Sequence, residues 1–198
     1  DPYSASKAAA ELVFSSYQRS FFYSKANFGA ASARAGNVIG GGDWSKYRII
    51  PDCIKAVKNK ENLKLRNPNS TRPWQHVLEP LSGYLQLAVA LKANPKKFSG
   101  SWNFGPKSSD VKSVKDIAEG LLKFFNKSQI EIEDNIQNNS HEANLLQLNC
   151  DKANLDLKWS PRWKFEKTID ETAKWYKFVM DGSSAIEITK KQMIEYFS

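Results

Sequence analysis

A tyrosine and a lysine four residues apart, Tyr3 and Lys7, constrain the possible folds of this chain more than any other feature. The residues from Tyr3 to about Phe22 show helical periodicity, and residues four apart on a helix lie on one face. A phenol beside an ammonium can transfer protons, because the positive charge stabilises the phenolate. The pair therefore predicts a helix whose one face carries proton-transfer chemistry.

Short apolar strands alternate with amphipathic helices along the rest of the chain. Strands are predicted at about 29–34, 63–66, 73–78 and 101–104, with an edge strand at 130–132. Helices are predicted from Pro51, Pro80 and Ser113, and Ser113 and Asp116 predict a capping box for the third of these. A longer helix ends near Asp181, where Gly182 stops it. Thr189 and Gln192 predict the cap of a last short helix. This alternation predicts an α/β architecture.

Composition excludes several classes of protein. The 198 residues suffice for about one domain, and 41% hydrophobic residues can build a packed core. No apolar run approaches the roughly 20 residues of a membrane span, so we expect no membrane partner. Cys53 and Cys150 match no metal-ligand spacing and indicate a reducing, cytoplasmic setting. The net charge of +8 fits either a solvated lysine-rich surface or an anionic ligand such as a nucleotide diphosphate. The lysines are scattered, which argues against nucleic acid.

Two segments carry polar residues suited to a ligand. Gly36 follows a predicted strand and permits close approach to the backbone, and the Asn37 amide can both donate and accept hydrogen bonds. Arg72, followed by Pro73, suits bidentate recognition of a diphosphate. His76 is either a general base or a hydrogen-bonded structural histidine, and its place in a predicted strand favours the structural role.

A run of glycines at 40–42 could be taken for a dinucleotide-binding loop. Such a loop needs a strand before it, a helix directly after it and an acidic residue about 20 residues later. Here residues 43–45 follow, and the next helix is predicted only near Pro51. We therefore interpret the run as a flexible wall of a substrate site.

The order of these motifs resembles the extended short-chain dehydrogenase/reductase family, the NAD-dependent sugar-nucleotide epimerases and dehydratases. The resemblance is carried by residues 1–7, 34–40, 70–77 and 103–106. It implies a partial Rossmann fold, in which the half with the NAD-binding loop is missing, and a smaller carboxyl-terminal substrate-binding domain. Because the catalytic helix stands at the start, we expect the carboxyl-terminal part of a longer enzyme that is inactive alone.

The resemblance also implies a domain division and a cofactor site. Residues 1–38 and 74–105 would form the remainder of the Rossmann domain, and residues 39–73 and 106–198 the substrate-binding domain. The cofactor implied by the resemblance is NAD. Tyr3 would be the catalytic base and would also contact the cofactor. Lys7 would bind the cofactor ribose and assist Tyr3 in catalysis, and the backbone at Ala35 and Val38 would lie near the nicotinamide.

Further stretches, at 40–44, 48–52, 66–68, 74–81 and 142–148, resemble the branch of this family that acts on CDP-glucose. That branch implies a lyase that oxidises C4 transiently, eliminates water across C5 and C6 and returns hydride to C6. Asn37 and Arg72 would bind the substrate diphosphate. Family members are usually dimers that pair partly through the catalytic helix, so we expect a homodimer. Two alternatives stay open: another sugar-nucleotide epimerase or dehydratase, and a non-catalytic nucleotide-sugar-binding fragment.

Overall fold

The computed structural model describes the chain except for residues 26, 66, 127–129 and 133–145. Helices and strands alternate, which confirms the predicted α/β class. The helices are α1 (Pro2–Tyr17), α2 (Ile49–Asn59), α3 (Leu78–Ala93), α4 (Pro95–Phe98), α5 (Val114–Phe124), α6 (Asp151–Leu157), α7 (Phe165–Met180) and α8 (Ala185–Phe197). The strands are β1 (Ala31–Ala35), β2 (Asn37–Ile39), β3 (Leu63–Leu65), β4 (Thr71–Arg72), β5 (Trp74–His76), β6 (Gly100–Phe104), β7 (Lys112–Ser113) and β8 (Ile130–Ile132). A π-helical turn, Gln18–Phe22, continues α1.

The strands pair two by two, and three of these pairs are parallel, as expected where helices connect the strands. β1 pairs with β6, β2 with β5 and β3 with β8, whereas β4 and β7 are antiparallel. At Gly36, between β1 and β2, the chain stops pairing with β6 and begins to pair with β5. The Gly36 N–H donates to the Phe104 carbonyl at 3.1 Å. A Cβ on Gly36 would lie 2.4 Å from the Pro73 carbonyl oxygen, so only glycine fits this crossing.

Two apolar clusters form the core. The first joins α2, α5 and α7, and its most deeply buried members include Cys53, Ile117, Leu121 and Tyr176. The second packs α3 and α6 against β6, around Trp102 and Phe104. The predicted capping box at Ser113 is confirmed: its hydroxyl accepts from the Asp116 N–H at 3.0 Å, and the Asp116 carboxylate accepts from the Ser113 N–H at 2.8 Å.

The last helix differs from its prediction. α8 begins at Ala185, so Thr189 and Gln192 lie inside the helix rather than at its cap. The Thr189 hydroxyl donates to the Ala185 carbonyl at 2.7 Å, and Gln192 is buried. The earlier start lets Ile188, Gln192 and Tyr196, spaced four apart, face the core together. Among the described helices, none combines the length and apolar character that crossing a bilayer requires.

Candidate active site

The proton-transfer pair lies at the start of α1. Asp1 caps the helix by accepting from the Ser4 N–H at 2.8 Å, and Pro2 stands in the first turn, where its missing N–H costs nothing. The Lys7 Nζ lies 5.6 Å from the centroid of the Tyr3 ring, and Tyr3 is 71% exposed. The helical placement predicted from the spacing is confirmed. The catalytic roles of the two residues stay predictions.

Glu11 ties α1 to the sheet. It follows Lys7 by four residues on the same helix face, and its Oε1 forms an ion pair with Arg34 Nη1 at 3.1 Å. Its Oε2 accepts from the hydroxyls of Ser32 and Ser101, both at 2.9 Å. One carboxylate therefore joins α1 to both β1 and β6. Sequence reasoning missed Glu11, and its four-residue spacing from Lys7 was the available signal.

The two diphosphate-binding candidates lie on adjacent segments. In the β2–β5 pair Asn37 is opposite Trp74, and the Asn37 N–H donates to the Pro73 carbonyl at 3.0 Å. Arg72, directly before Pro73, is buried, and its Nη1 donates to the Thr71 carbonyl at 2.8 Å. Strand pairing thus places the backbone of Asn37 beside Pro73 and Trp74, the residues that directly follow Arg72.

The residues predicted to meet the cofactor fit the nicotinamide-ribose half of NAD. Ala35 ends β1 and is half-buried, while Val38 on β2 is 41% exposed and offers an apolar surface to a flat ring. The exposed ammonium of Lys7 and hydroxyl of Tyr3 have the donors that ribose hydroxyls would need. The donors of Tyr3 and Lys7 and the apolar surface of Val38 are therefore chemically suited to the nicotinamide-ribose half of NAD.

The glycine loop (residues 40–44), predicted to be a flexible wall of a substrate site, packs against α7. The Trp175 indole of α7 lies directly on the Gly41 backbone, and the Tyr176 hydroxyl donates to the Asp43 carbonyl at 2.6 Å. Burial alone would raise the pKa of the Asp43 carboxyl, but hydrogen bonds from Ser45 and Arg48 outweigh it and lower this pKa. Nothing in the local glycine pattern signals a contact with residues so far along the chain.

His76 is sealed inside the protein. It ends β5 with 1% exposure, and its Nδ1 accepts from the Leu78 N–H at 3.4 Å. Burial lowers the His76 pKa to about 4, although the nearby Glu171 charge acts in the opposite direction. The ring packs against Trp163 with 4.8 Å between centroids. These surroundings support the structural role rather than general-base catalysis.

Comparison with known proteins identifies the family. The family model of GDP-mannose 4,6 dehydratase matches residues 1–172, and the chain belongs to this family. A CDP-glucose 4,6-dehydratase of Salmonella typhimurium is 45% identical over all of this chain and 56% of its own length. The stretches at 66–68 and 142–148, predicted to resemble the CDP-glucose branch, lie partly outside the described residues.

Solved structures share the Rossmann-type fold of NAD-dependent epimerases and dehydratases. A dTDP-glucose 4,6-dehydratase from Bacillus anthracis, in complex with NAD, has a TM-score of 0.74 at 21% identity and covers 92% of this chain and 54% of its own. A UDP-glucuronic acid 4-epimerase from Bacillus cereus, in complex with UDP-glucuronic acid and NAD, has a TM-score of 0.73 at 19% identity, covering 90% and 53%. The chain thus spans about half the length of these relatives.

Proposed function

We propose that the complete protein is a sugar-nucleotide 4,6-dehydratase, a lyase that converts CDP-glucose to CDP-4-keto-6-deoxyglucose with NAD as cofactor. The observation that carries this proposal is the 45% identity to the Salmonella CDP-glucose 4,6-dehydratase along the whole chain. The candidate residues are consistent with it: a phenol–ammonium pair lies on α1, which Glu11 joins to β1 and β6, and an amide on β2 lies opposite the segment that follows the Arg72 guanidinium. The two dehydratase and epimerase structures in complex with NAD support the choice of cofactor.

In this proposal Tyr3 and Lys7 move the proton. Tyr3 removes the proton of the sugar 4-hydroxyl as C4 is oxidised, and Lys7 stabilises the phenolate and binds the cofactor ribose. Bound NAD supplies a reversible hydride acceptor. Oxidation at C4 is balanced by reduction at C6, so the overall change in the sugar is the loss of one water across C5 and C6.

Asn37 and Arg72 bind the substrate diphosphate in this proposal. Their support is the β2–β5 pairing, which places an amide beside the segment that carries a guanidinium, the side chain best suited to bidentate oxyanion recognition. The net charge of +8 is favourable for an anionic substrate. Binding energy at the diphosphate then positions a sugar ring that reacts several bonds away.

Product analysis of the complete protein tests the function. Purified protein with NAD would be incubated separately with CDP-, UDP-, dTDP- and GDP-glucose, and products analysed by mass spectrometry. We expect loss of 18 mass units, the mass of one water, with CDP-glucose above all others. Epimerised product without water loss would point to an epimerase, and binding without any conversion would point to a nucleotide-sugar-binding protein. Either result would contradict the proposal.

The complete protein is further proposed to be a cytoplasmic homodimer that pairs through α1. Large side chains on α1 and its π-helical turn point away from the described core, with exposed fractions of 71% for Leu12, 58% for Val13, 53% for Tyr17 and 57% for Phe21. Such a stripe is typical of a helix that packs against a partner. Light scattering should give twice the subunit mass for the native protein and a smaller species for Val13→Glu.

The cytoplasmic location is supported by the free thiols Cys53 and Cys150, which suit a reducing compartment.

The division into two domains is a further proposal, and the two apolar clusters follow it only in part. Trp102 and Phe104, from the Rossmann remainder, share one cluster with three buried residues of the substrate-binding part that lie between Ala153 and Trp159. Ile54 and Tyr176 belong to the other cluster. Limited proteolysis of the complete protein should cut first between the two clusters if each folds as a unit.

A further inference from the structure

The glycine loop is shaped by the contact between the Gly41 backbone and the Trp175 side chain. A Cβ added to Gly41 would lie 1.9 Å from Cδ2 of the Trp175 indole, far inside van der Waals contact. Gly42 has a φ of +88°, a conformation that glycine adopts without strain. The loop therefore lies against the Trp175 ring of α7. Position 41 needs glycine because a side chain would overlap that ring, and position 42 favours glycine because of its positive φ.

Tyr176 holds the next residue of the loop. It is fully buried, and its hydroxyl donates to the Asp43 carbonyl at 2.6 Å. The Trp44 ring meets the Tyr176 ring edge to face, with 5.1 Å between centroids. The Asp43 carboxylate in turn accepts from the Ser45 N–H at 2.9 Å and from Arg48 Nη1 at 3.0 Å, which links the loop to the start of α2. The loop is thus fixed at consecutive residues.

The orientation of Trp175 depends on α8. The indole Nε1 donates to the Thr189 hydroxyl oxygen at 2.9 Å, and that hydroxyl donates to the Ala185 carbonyl at 2.7 Å. Trp175, Tyr176 and Thr189 all follow residue 172, where the match to the family model ends. The α7 and α8 residues that contact the loop or orient Trp175 therefore lie outside the range matched by the family model, whereas Ser45 and Arg48 lie inside it.

The loop continues directly from β2, the strand that carries Asn37. We propose that Trp175 and Tyr176 are positioning residues for the sugar-nucleotide site: they hold the glycine loop against α7 and so set the position of β2 and of Asn37. This inference rests on the proposed function for the identity of the ligand. Tyr3 and Lys7 lie on α1, which Glu11 joins to β1 and β6. The effect of the loop contact is therefore on substrate binding rather than on proton transfer.

A pair of tyrosine substitutions in the complete protein tests the proposal. Tyr176→Phe removes the hydroxyl that holds the loop and leaves the Asp43 carbonyl without that donor. Tyr196→Phe is the matched control, because it removes another fully buried hydroxyl, bonded to Glu79 Oε2 at 2.6 Å, outside the loop. We expect KM for CDP-glucose to rise about tenfold in Tyr176→Phe with kcat within about twofold, and KM to stay unchanged in Tyr196→Phe at a comparable loss of melting temperature. Equal KM values in the two variants would overturn the proposal.

A second variant and a ligand-free measurement keep the test independent of folding and of the proposed function. Thr189→Val keeps the side-chain shape but removes the acceptor for Trp175, and it should raise KM in the same direction. Hydrogen exchange should show faster exchange at residues 41–45 in Tyr176→Phe than in Tyr196→Phe, with no substrate present. If the native protein does not convert CDP-glucose, the proposed function fails while this exchange difference still decides whether the loop is held. Unchanged exchange in both Tyr176→Phe and Thr189→Val would contradict the positioning role.

Discussion

Two helices of equal length, α1 and α7, are used by this protein in opposite ways. Both contain 16 residues, all of which the structure describes. None of those in α1 is buried, whereas α7 buries seven, from Thr168 to Tyr176. The helix that carries the candidate chemistry is held by the polar contacts of Glu11, and the helix that holds the fold carries none of the proposed chemical groups. Proton transfer needs groups that a ligand can reach, and core packing needs groups that it cannot.

Removing the phenol of α1 should give the largest functional effect. In the complete protein, Tyr3→Phe should lower kcat for CDP-glucose by about 10²- to 10⁴-fold, because it removes the proposed base. The Kd for CDP-glucose should stay within about twofold, since the diphosphate contacts are elsewhere. Steady-state kinetics and calorimetry would measure both. Tyr23→Phe, at a tyrosine that is 84% exposed, is the control and should change neither; retained turnover in Tyr3→Phe would refute the assigned role.

A truncation on the buried face of α7 should give the largest loss of stability. Ile169 is 5% exposed and packs on Gly120, whose added Cβ would lie 3.2 Å from Ile169 Cγ2. Ile169→Ala should lower the free energy of unfolding by about 2–5 kcal/mol, measured by urea denaturation. The same change at Ile186 on α8, which is 66% exposed, should cost under about 0.5 kcal/mol. Similar losses at the two sites would mean that α7 does not organise the core.

Weakening the anchor of α1 should reduce turnover without unfolding the protein. Glu11→Gln removes the charge that pairs with Arg34 and weakens two hydroxyl contacts, so Tyr3 should lose its fixed position. We expect kcat to fall about tenfold, with KM nearly unchanged. Glu119→Gln breaks a surface ion pair with Lys115 and should leave kcat unaffected. An unaltered kcat in Glu11→Gln would show that α1 is positioned by other contacts.

A substitution of the glycine that follows α7 should give the smallest change in stability. Gly182 follows the helix with a φ of +88°, and no atom lies within 4 Å of a Cβ added there. Gly182→Ala should therefore cost about 1 kcal/mol through backbone strain alone. α1 has no such stop, because Gln18 continues in right-handed helical conformation into the π-helical turn. Gly29→Ala offers a contrast: there the added Cβ would meet Leu91 at 2.8 Å, so steric overlap dominates. A neutral Gly182→Ala in thermal melts would argue against strain at this position.

Local features were predictable because short-range physics decides them. The capping box at Ser113, the helical face shared by Tyr3 and Lys7 and the stop at Gly182 depend on residues within one turn of each other. The packing of the glycine loop could not be predicted from neighbouring residues. Whether three glycines are flexible or held depends on what packs on them, and Trp175 lies more than 130 residues away along the chain. The start of α8 was misplaced for a related reason: the burial of Ile188, Gln192 and Tyr196 outweighs the local signal at Thr189.

The sequence by itself determined the class of fold, the chemistry available on α1 and the family resemblance, because residue type and short spacing carry that information. Tertiary structure alone decided which segments meet. It joined Asn37 to the segment of Arg72 through the β2–β5 pair, fixed α1 to two strands through Glu11 and laid the glycine loop on Trp175. Each of these contacts joins distant parts of the chain, and packing in three dimensions selects them from many alternatives that no local pattern distinguishes.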